Sequence, residues 1–368
     1  MNLRRSCFTL AVALALSTPA SIKAAKVPAA PTGLIPFEIR QQSLPHFRIG
    51  HRDQTVFGEL EYLGGAELTS INPDFGALSG LLSLDNGQTI LAVSDTGFWF
   101  TWEVPTGREQ SGDAPIRAEF APILDHQGAP LLGKNSSDAE ALAQRFVDGQ
   151  LEYLVAFEGD TRLDAWPAPP ARAAQTPAKN IRTGIPDRQI RFNKGIEGLS
   201  VAPPGSPIAG AIIALTERSK NRVSNMNGWL IGGPLPGLLK VKRRDNYDVT
   251  DASFLPDGDL LLLERRFNIS DGIGMRIRRV PASTIRPGAI LDGPAIIEAD
   301  LGYHIDNMEG LANHLSPQGE TILTLVSDNN HSILQRTLIL RFKLKGDIVR
   351  KAADPESVKP RAHPARDG

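Results

Sequence analysis

Acidic side chains recur in this chain at a regular spacing, each inside a short phrase of small and apolar residues. The clear phrases are DAEALA at 138–143, GIEGLS at 195–200 and NMEGLA at 307–312, and weaker copies are ALSGLL at 77–82 and VTDASF at 249–254. When the phrases are aligned, the equivalent positions are Ser79, Glu140, Glu197, Asp251 and Glu309, which are separated by 61, 57, 54 and 58 residues. If the fold gathers these carboxylates, they can hold a hard cation such as Ca²⁺, which prefers oxygen ligands.

A second set of acids closes the β-rich run of each repeat. Its members are Asp95, Glu158, Glu217, Glu264 and Asp328. Arginines follow two of them directly, with Arg218 after Glu217 and Arg265 after Glu264. A guanidinium group can neutralise neighbouring carboxylates or bind an anionic group of a substrate, because its planar fork matches carboxylate and phosphate.

The elements that must position these acids form a repeat array. A period of about 50–60 residues with β-rich content is typical of a β-propeller. Each repeat has a near-continuous aliphatic run, such as TILAVSD at 89–95 and DLLLLE at 259–264, as expected for a strand that is buried on both faces. Asn-Gly or Asp-Gly turns, as at 86–87 and 148–149, precede several of these runs.

We therefore predict an all-β fold, a β-propeller of five readable four-stranded repeats, and the sequence leaves room for a sixth, degenerate blade. The stretch at 58–70 precedes the first repeat, and TLILRFKL at 337–344 ends the last one. Pairing these two stretches in one sheet would close the ring and remove exposed sheet edges.

A propeller places equivalent positions of every repeat around one axis. Because neighbouring strands run antiparallel, the start of one lies beside the end of the next, and both sets of acids are expected at one end of the central channel. So many carboxylates cannot ionise together without a cation or hydrogen-bond donors, which favours bound calcium or neutralising arginines. The alternative is structural: acids such as Asp95, Glu158 and Glu264 would accept backbone N–H groups of the adjacent blade.

The N-terminal residues are predicted to direct export. Arg4 and Arg5 precede an apolar stretch at 7–16 and a small-residue stretch at 17–25, which is the pattern of a signal peptide. The arginine pair hints at twin-arginine export, and we expect a periplasmic or secreted protein. The predicted divisions are a signal peptide at 1–25, a lead-in at 26–54, the propeller at 55–345 and a disordered tail at 346–368.

Composition removes several classes of function. The 368-residue chain has a formal net charge of −1, 6% aromatic residues and no basic stripe, which argues against a nucleic-acid partner. The apolar stretch at 7–16 is too short for a membrane span. The single cysteine, Cys7, lies within the predicted signal. Motifs of serine α/β-hydrolases, zinc proteases and P-loop proteins are absent, and we expect a monomer that acts on a small-molecule ester or phosphoester.

As a set, these phrases resemble the bacterial phytase-like family that is labelled esterase-like activity of phytase. The resemblance rests on GALSGL at 76–81, ILAVSDTG at 90–97 and the three clear acid phrases, and it covers about residues 58–343. It implies the propeller of the calcium-dependent alkaline phytases, and an exported hydrolase that uses calcium to cleave phosphate or other esters.

The resemblance also implies roles for individual residues. The implied metal ligands are Glu140, Glu197, Asp251 and Glu309. The implied catalytic residues are the acids that orient water, Glu217, Glu264 and Asp328, and the arginines that bind phosphate, Arg218 and Arg265. Two departures from the family pattern are Asp251 in place of glutamate and Ser79 in place of an acid. Two other functions stay open: a non-catalytic periplasmic propeller that binds a ligand or protein partner with structural calcium, and a lactonase.

Overall fold

The computed structural model describes residues 33–104, 115–159, 161–186, 195–217, 224–268 and 272–348. The predicted signal peptide at 1–25 and residues 349–368 of the predicted tail lie outside the described residues. Helices are short: α1 is Lys134–Ser137, α2 is Pro170–Ala173, and single 3₁₀ turns are Asp85–Gly87 and Ala282–Thr284. No helix in the described ranges is long and apolar enough to cross a membrane.

Strands make up most of the described chain. In order they are β1 (Ile35–Leu44), β2 (Val56–Phe57), β3 (Leu60–Thr69), β4 (Leu78–Leu84), β5 (Thr89–Ser94), β6 (Phe98–Glu103), β7 (Ile116–Pro122), β8 (Ala139–Val147), β9 (Gln150–Phe157), β10 (Arg162–Pro167), β11 (Lys179–Asn180), β12 (Ile196–Val201), β13 (Ile212–Thr216), β14 (Met226–Ile231), β15 (Gly237–Val241), β16 (Asp248–Phe254), β17 (Leu260–Asn268), β18 (Gly272–Val280), β19 (Ile290–Leu291), β20 (Ala295–Ala299), β21 (Asn307–Leu315), β22 (Glu320–Asp328) and β23 (Thr337–Ile348).

Most of these strands form antiparallel four-stranded blades, and the short β19 adds a parallel strand to the outer edge of β15. Blade I contains β4 to β7, blade II β8 to β11, blade III β12 to β15, blade IV β16, β17, β18 and β20, and blade V β21, β22, β23 and β3. The innermost strands β4, β8, β12, β16 and β21 pack on one another in that order, and β21 packs on β4. This closed ring confirms the predicted all-β propeller. Within the described ranges it has five blades and no sixth.

The ring closes as predicted and is reinforced by a strand that sequence analysis missed. Strand β3 pairs antiparallel with β23, with Leu68 opposite Thr337. Strand β1 lies in the predicted lead-in, yet it pairs antiparallel with both β3 and β7 and so joins blades V and I into one sheet. In β1, Ile39 is buried between two exposed residues, and this alternation is typical of a strand. The Pro- and Ala-rich residues that precede β1 had suggested a segment without regular structure. At the other end, β23 continues to Ile348, past the predicted boundary at 345.

The hydrophobic core is divided among the interfaces between blades. Each of five buried clusters joins two neighbouring blades. Strand β17 shows why the aliphatic runs are continuous: Leu260 and Leu262 pack toward blade III, whereas Leu261 and Leu263 pack toward blade V. A strand between two blades buries both faces, so its sequence loses the usual polar alternation.

Candidate functional site

The first strand of every blade carries a β-bulge at the same position. One residue of the first strand is skipped in the pairing with the second strand, as at Ile196/Gly198. The skipped residues are Ser79, Glu140, Glu197, Thr250 and Glu309. A bulge breaks the regular alternation and re-aims a side chain. Here it does so at the same end of all five strands that surround the axis, which we call the acidic mouth.

In the fourth blade the bulged residue is Thr250. Thr250, and not Asp251, is therefore the residue equivalent to Glu140, Glu197 and Glu309. Asp251 is 1% exposed, and its Oδ2 and Oδ1 atoms accept the backbone N–H groups of Leu311 and Ala252, both at 2.7 Å. Burial raises the pKa of Asp251 well above its usual value, and the backbone hydrogen bonds only reduce this shift. The prediction of Asp251 as a metal ligand assumed that it is equivalent to those glutamates, and this assumption is wrong. Its carboxylate links blade IV to blade V instead.

The two bulge positions without an acid also connect blades. The Ser79 hydroxyl donates to the carbonyl of Ala139, the residue before Glu140. The Thr250 hydroxyl donates to the carbonyl of Met308, the residue before Glu309, at 2.9 Å. Each hydroxyl thus holds the backbone next to the bulged glutamate of the following blade.

A second set of side chains lies beside the bulges, at the ends of the second strands. In each blade, the two residues that flank the bulge pair with two consecutive residues of the second strand. The residue after this pair is Asp95, Glu158, Glu217, Arg265 and Asp328 in blades I to V, respectively. The fourth member is thus Arg265 and not Glu264, since successive side chains of a strand point to opposite faces. The charges that raise the pKa of Glu140 after burial include those of Glu197, Glu309 and Glu158. The propeller therefore brings together acids from blades II, III and V.

Glu264 takes no part in this mouth. It is fully buried, and its Oε2 atom accepts from Nε of Arg276 at 2.5 Å while its Oε1 atom accepts from Nη2 of Arg278 at 2.5 Å. Both arginines come from the neighbouring strand β18. The predicted role of Glu264 in orienting water is wrong, because both oxygens are engaged in an ion-pair network within blade IV.

One side of the mouth is neutralised by Arg265, and we call it the arginine side. Arg265 Nη1 donates to Glu309 Oε1 at 2.5 Å and to the side-chain oxygen of Asn307, and Nη2 lies 3.7 Å from Glu217 Oε1. Burial alone would lower the pKa of Arg265, but the charges of Glu309 and Glu217 raise it. The arginine is therefore engaged by acids of blades III and V. Arg218, its predicted companion, lies outside the described residues.

The opposite side of the mouth is formed by Asp138, Glu140 and Glu158, and we call it the acid side. One carboxylate oxygen from each residue lies within 4.8 Å of the others. Burial is the main cause that raises the pKa of Glu140, followed by the charges of Glu197 and Asp138. Calcium–oxygen distances are about 2.3–2.6 Å, so oxygens this close fit around one ion. An all-carboxylate donor set suits a hard cation.

Asp328 stands next to the arginine side with a pKa suited to proton transfer. Burial raises the pKa of Asp328 to about 7, with a smaller contribution from the Glu309 charge, although its Oδ1 atom accepts the backbone N–H of Asn330 at 2.6 Å. Burial also raises the pKa of nearby Asp95, and the charges of Lys134 and His331 oppose that shift. A carboxyl group that titrates near neutral pH can accept or donate a proton at working pH.

Comparison with known proteins assigns the chain to a family. The family described as phytase-like, esterase-like activity of phytase, matches residues 73–331. The chain belongs to the phytase-like family. No curated protein matches it.

Solved structures resemble this phytase-like chain only loosely. A thermostable family-43 glycoside hydrolase has 16% identity and a TM-score of 0.44, covering 78% of this chain and 99% of that one. An α-L-arabinofuranosidase from Lactobacillus brevis has 12% identity and a TM-score of 0.44, covering 74% and 92%. A putative 6-phosphogluconolactonase from Bacteroides uniformis has 12% identity and a TM-score of 0.37, covering 82% and 95%.

Within the phytase-like propeller, sequence reasoning missed two residues of the mouth. Asp138 is part of the acid side, and Asn307 Nδ2 donates to Glu309 Oε1 at 2.9 Å. Both stand two residues before a bulged glutamate, as the first letters of DAEALA and NMEGLA. Aligning these two phrases in full, instead of at the glutamate alone, would have singled them out.

Proposed function

We propose that this protein is an exported hydrolase that cleaves esters with the help of a divalent cation, most suitably calcium, at the acidic mouth. The observation that carries the proposal is the acid side, where three carboxylate oxygens lie within 4.8 Å of one another. Membership of a family described by an esterase-like activity supports the reaction class. The predicted signal peptide supports export.

Asp138, Glu140 and Glu158 would hold the cation, with Glu197 as the neighbouring acid whose charge also acts on Glu140. When bound, such a cation supplies polarisation of the ester oxygen and a lower pKa for water. Glu309 was predicted as a further ligand, but its Oε1 atom already accepts from Arg265 and Asn307. We therefore assign Glu309 to positioning Arg265.

Asp328 is the residue that we assign to proton transfer. Its raised pKa, about 7, leaves an ionised fraction that can accept a proton from water near neutral pH. Arg265 fixes the neighbouring acids Glu309 and Glu217 and is not free to bind a phosphate without releasing them. The mouth thus keeps an excess of negative charge, which favours uncharged carboxylic esters, including lactones, over polyphosphates such as phytate.

The proposal is tested by a panel of p-nitrophenyl butyrate, p-nitrophenyl phosphate and a γ-lactone, each with calcium and with a chelator. We expect turnover of the carboxylic ester or the lactone that requires calcium and is lost in Glu140→Gln. A matched control is Glu59→Gln, an exposed glutamate on the outer part of the fold, which should keep full activity.

Turnover that is indifferent to chelation would refute the metal-dependent mechanism. Calcium-dependent stabilisation without turnover of any substrate would support the non-catalytic alternative. Preference for the phosphate ester would contradict the argument from the charge of the mouth.

A further inference from the structure

A cavity lies between blades V and I, at the far end of the inner strands from the acidic mouth. Its volume is about 700 Å³, and His314, near the end of β21, forms part of its lining, whereas Glu309 near the start of that strand faces the mouth. Apolar side chains provide most of its wall, among them Leu68, Trp102, Ile116 and Ile339. Cavities of about 300–1,000 Å³ with apolar walls and few polar groups are typical small-molecule sites.

Arg341 on β23 lines this cavity without a partner in the described part of the chain. Its side chain makes no hydrogen bond or ion pair with any described residue, and its Nε atom is buried and unsatisfied. Burial lowers the pKa of Arg341, and no neighbouring carboxylate opposes the shift. Arg341 is partly exposed, so a ligand can reach its guanidinium group. A partly buried charge without a counter-ion is costly, so an arginine in this setting is suited to an anionic ligand.

No other charge in the lining can satisfy Arg341. The described residues that line the cavity include no aspartate, glutamate or lysine. His314 is neutral at pH 7, because burial and the charge of Arg341 lower its pKa to about 4, and its Nδ1 atom is paired with the Ser83 hydroxyl at 2.8 Å. The cavity therefore offers one positive charge in an apolar chamber.

We propose that this cavity binds a monocarboxylate with an apolar body, with its carboxylate on the Arg341 guanidinium and its apolar part against Trp102 and Ile339. A guanidinium group binds a carboxylate through two parallel hydrogen bonds. A single positive charge matches a single negative charge, whereas a phosphate dianion would leave one charge uncompensated in an apolar chamber. The site does not depend on the cation chemistry of the mouth.

The test uses decanoate as the probe and 1-decanol as its uncharged counterpart, with isothermal titration calorimetry in the presence of a chelator. The chelator prevents any carboxylate from binding through a cation at the mouth. We expect decanoate to bind at one site per chain and decanol to bind at least about tenfold more weakly. Octanoate should bind about tenfold more weakly than decanoate, because two fewer methylenes are buried.

Arg341→Gln should lose about tenfold or more of the affinity for decanoate and keep the affinity for decanol. Arg341→Lys retains the charge and should retain the preference for decanoate. Arg117→Gln, at an exposed arginine on β7, is the matched control and should bind like the wild type. Absence of decanoate binding, equal binding of decanol, or unchanged decanoate affinity in Arg341→Gln would each overturn the proposal. The comparison of decanoate with decanol on the wild type needs no variant, so it holds even if a substitution impairs folding.

Discussion

Replacement of Glu140 by glutamine should change the stability of the protein in opposite directions with and without calcium. In the calcium-free protein, the Glu140 carboxylate is close to those of Asp138 and Glu158. The amide keeps the shape of the side chain and removes its charge, so we expect Glu140→Gln to be more stable than the wild type in a chelator. With calcium, the wild type gains the free energy of ion binding, and the variant has lost a ligand.

The structure sets the size of this effect. Two unit charges 4.8 Å apart repel by about 3.5 kcal/mol at an effective dielectric constant of about 20, so the repulsion between an ionised Glu140 and its two neighbours is about 7 kcal/mol. The raised pKa of Glu140 reduces this repulsion, because the carboxyl group holds its proton to a higher pH. We therefore expect a gain of about 2 kcal/mol for Glu140→Gln, which is about 4 °C in Tm.

Calcium at about one hundred times its Kd would stabilise the wild type by about 2.7 kcal/mol, which is enough to reverse the order of the two proteins. The assay is thermal unfolding followed by circular dichroism, in a chelator and in calcium, on the wild type, Glu140→Gln and Glu59→Gln. A wild-type Tm that does not respond to calcium would refute the ion site. A Glu140→Gln variant that is less stable than the wild type in the chelator would refute the argument from charge repulsion.

Further predictions concern three other residues of the blades. Because the pKa of Asp328 is raised to about 7, hydrolysis should rise with pH through about 7, and Asp328→Asn should flatten this part of the pH–rate profile. The native state also keeps this proton to a higher pH than the unfolded chain, so stability in a chelator should fall between about pH 4 and pH 7, by about 4 kcal/mol at most, and Asp328→Asn should lack that slope. Asp251→Asn should lose about 3 kcal/mol in urea unfolding, because one acceptor of a backbone N–H group is removed, with the calcium-induced shift in Tm unchanged. Glu264→Gln should lose about 3 kcal/mol, because Arg276 and Arg278 lose the buried carboxylate that they share and keep only the more exposed Asp245 and Asp292 as acidic partners, with kcat/KM of the folded protein unchanged.

Each of these predictions has a result that contradicts it. A calcium shift that disappears in Asp251→Asn would return that residue to the ligand set. Stability of Asp328→Asn that falls with pH like that of the wild type would show that another group titrates. A fall in kcat/KM in folded Glu264→Gln would mean that this residue acts on the mouth after all.

The architecture of this protein follows from local features that the sequence displays directly. The period of the acid phrases predicts the blades, and the continuous aliphatic runs predict strands that are buried on both faces, as Leu260 to Leu263 are. Asp-Gly at 148–149 predicts a hairpin, and the structure pairs Val147 with Gln150 around it, with positive φ at both turn residues. Each of these features involves residues that are close in the sequence, so it can be recognised without knowing which strands pair.

The composition of the mouth depends on which side chain of each strand faces the axis. In the fourth repeat, either Thr250 or Asp251 of VTDASF could be the equivalent of the bulged glutamates. Only the pairing of β16 with β17 places the bulge at Thr250. The same register places Arg265, and not Glu264, beside the neighbouring acids. A shift of one residue moves a side chain to the opposite face of a strand, so these assignments required the positions of the paired strands. The sequence alone therefore determined the ring of blades and the acidic residues available to it. The pairing of the strands in the tertiary structure decided which of these residues lie together at the mouth.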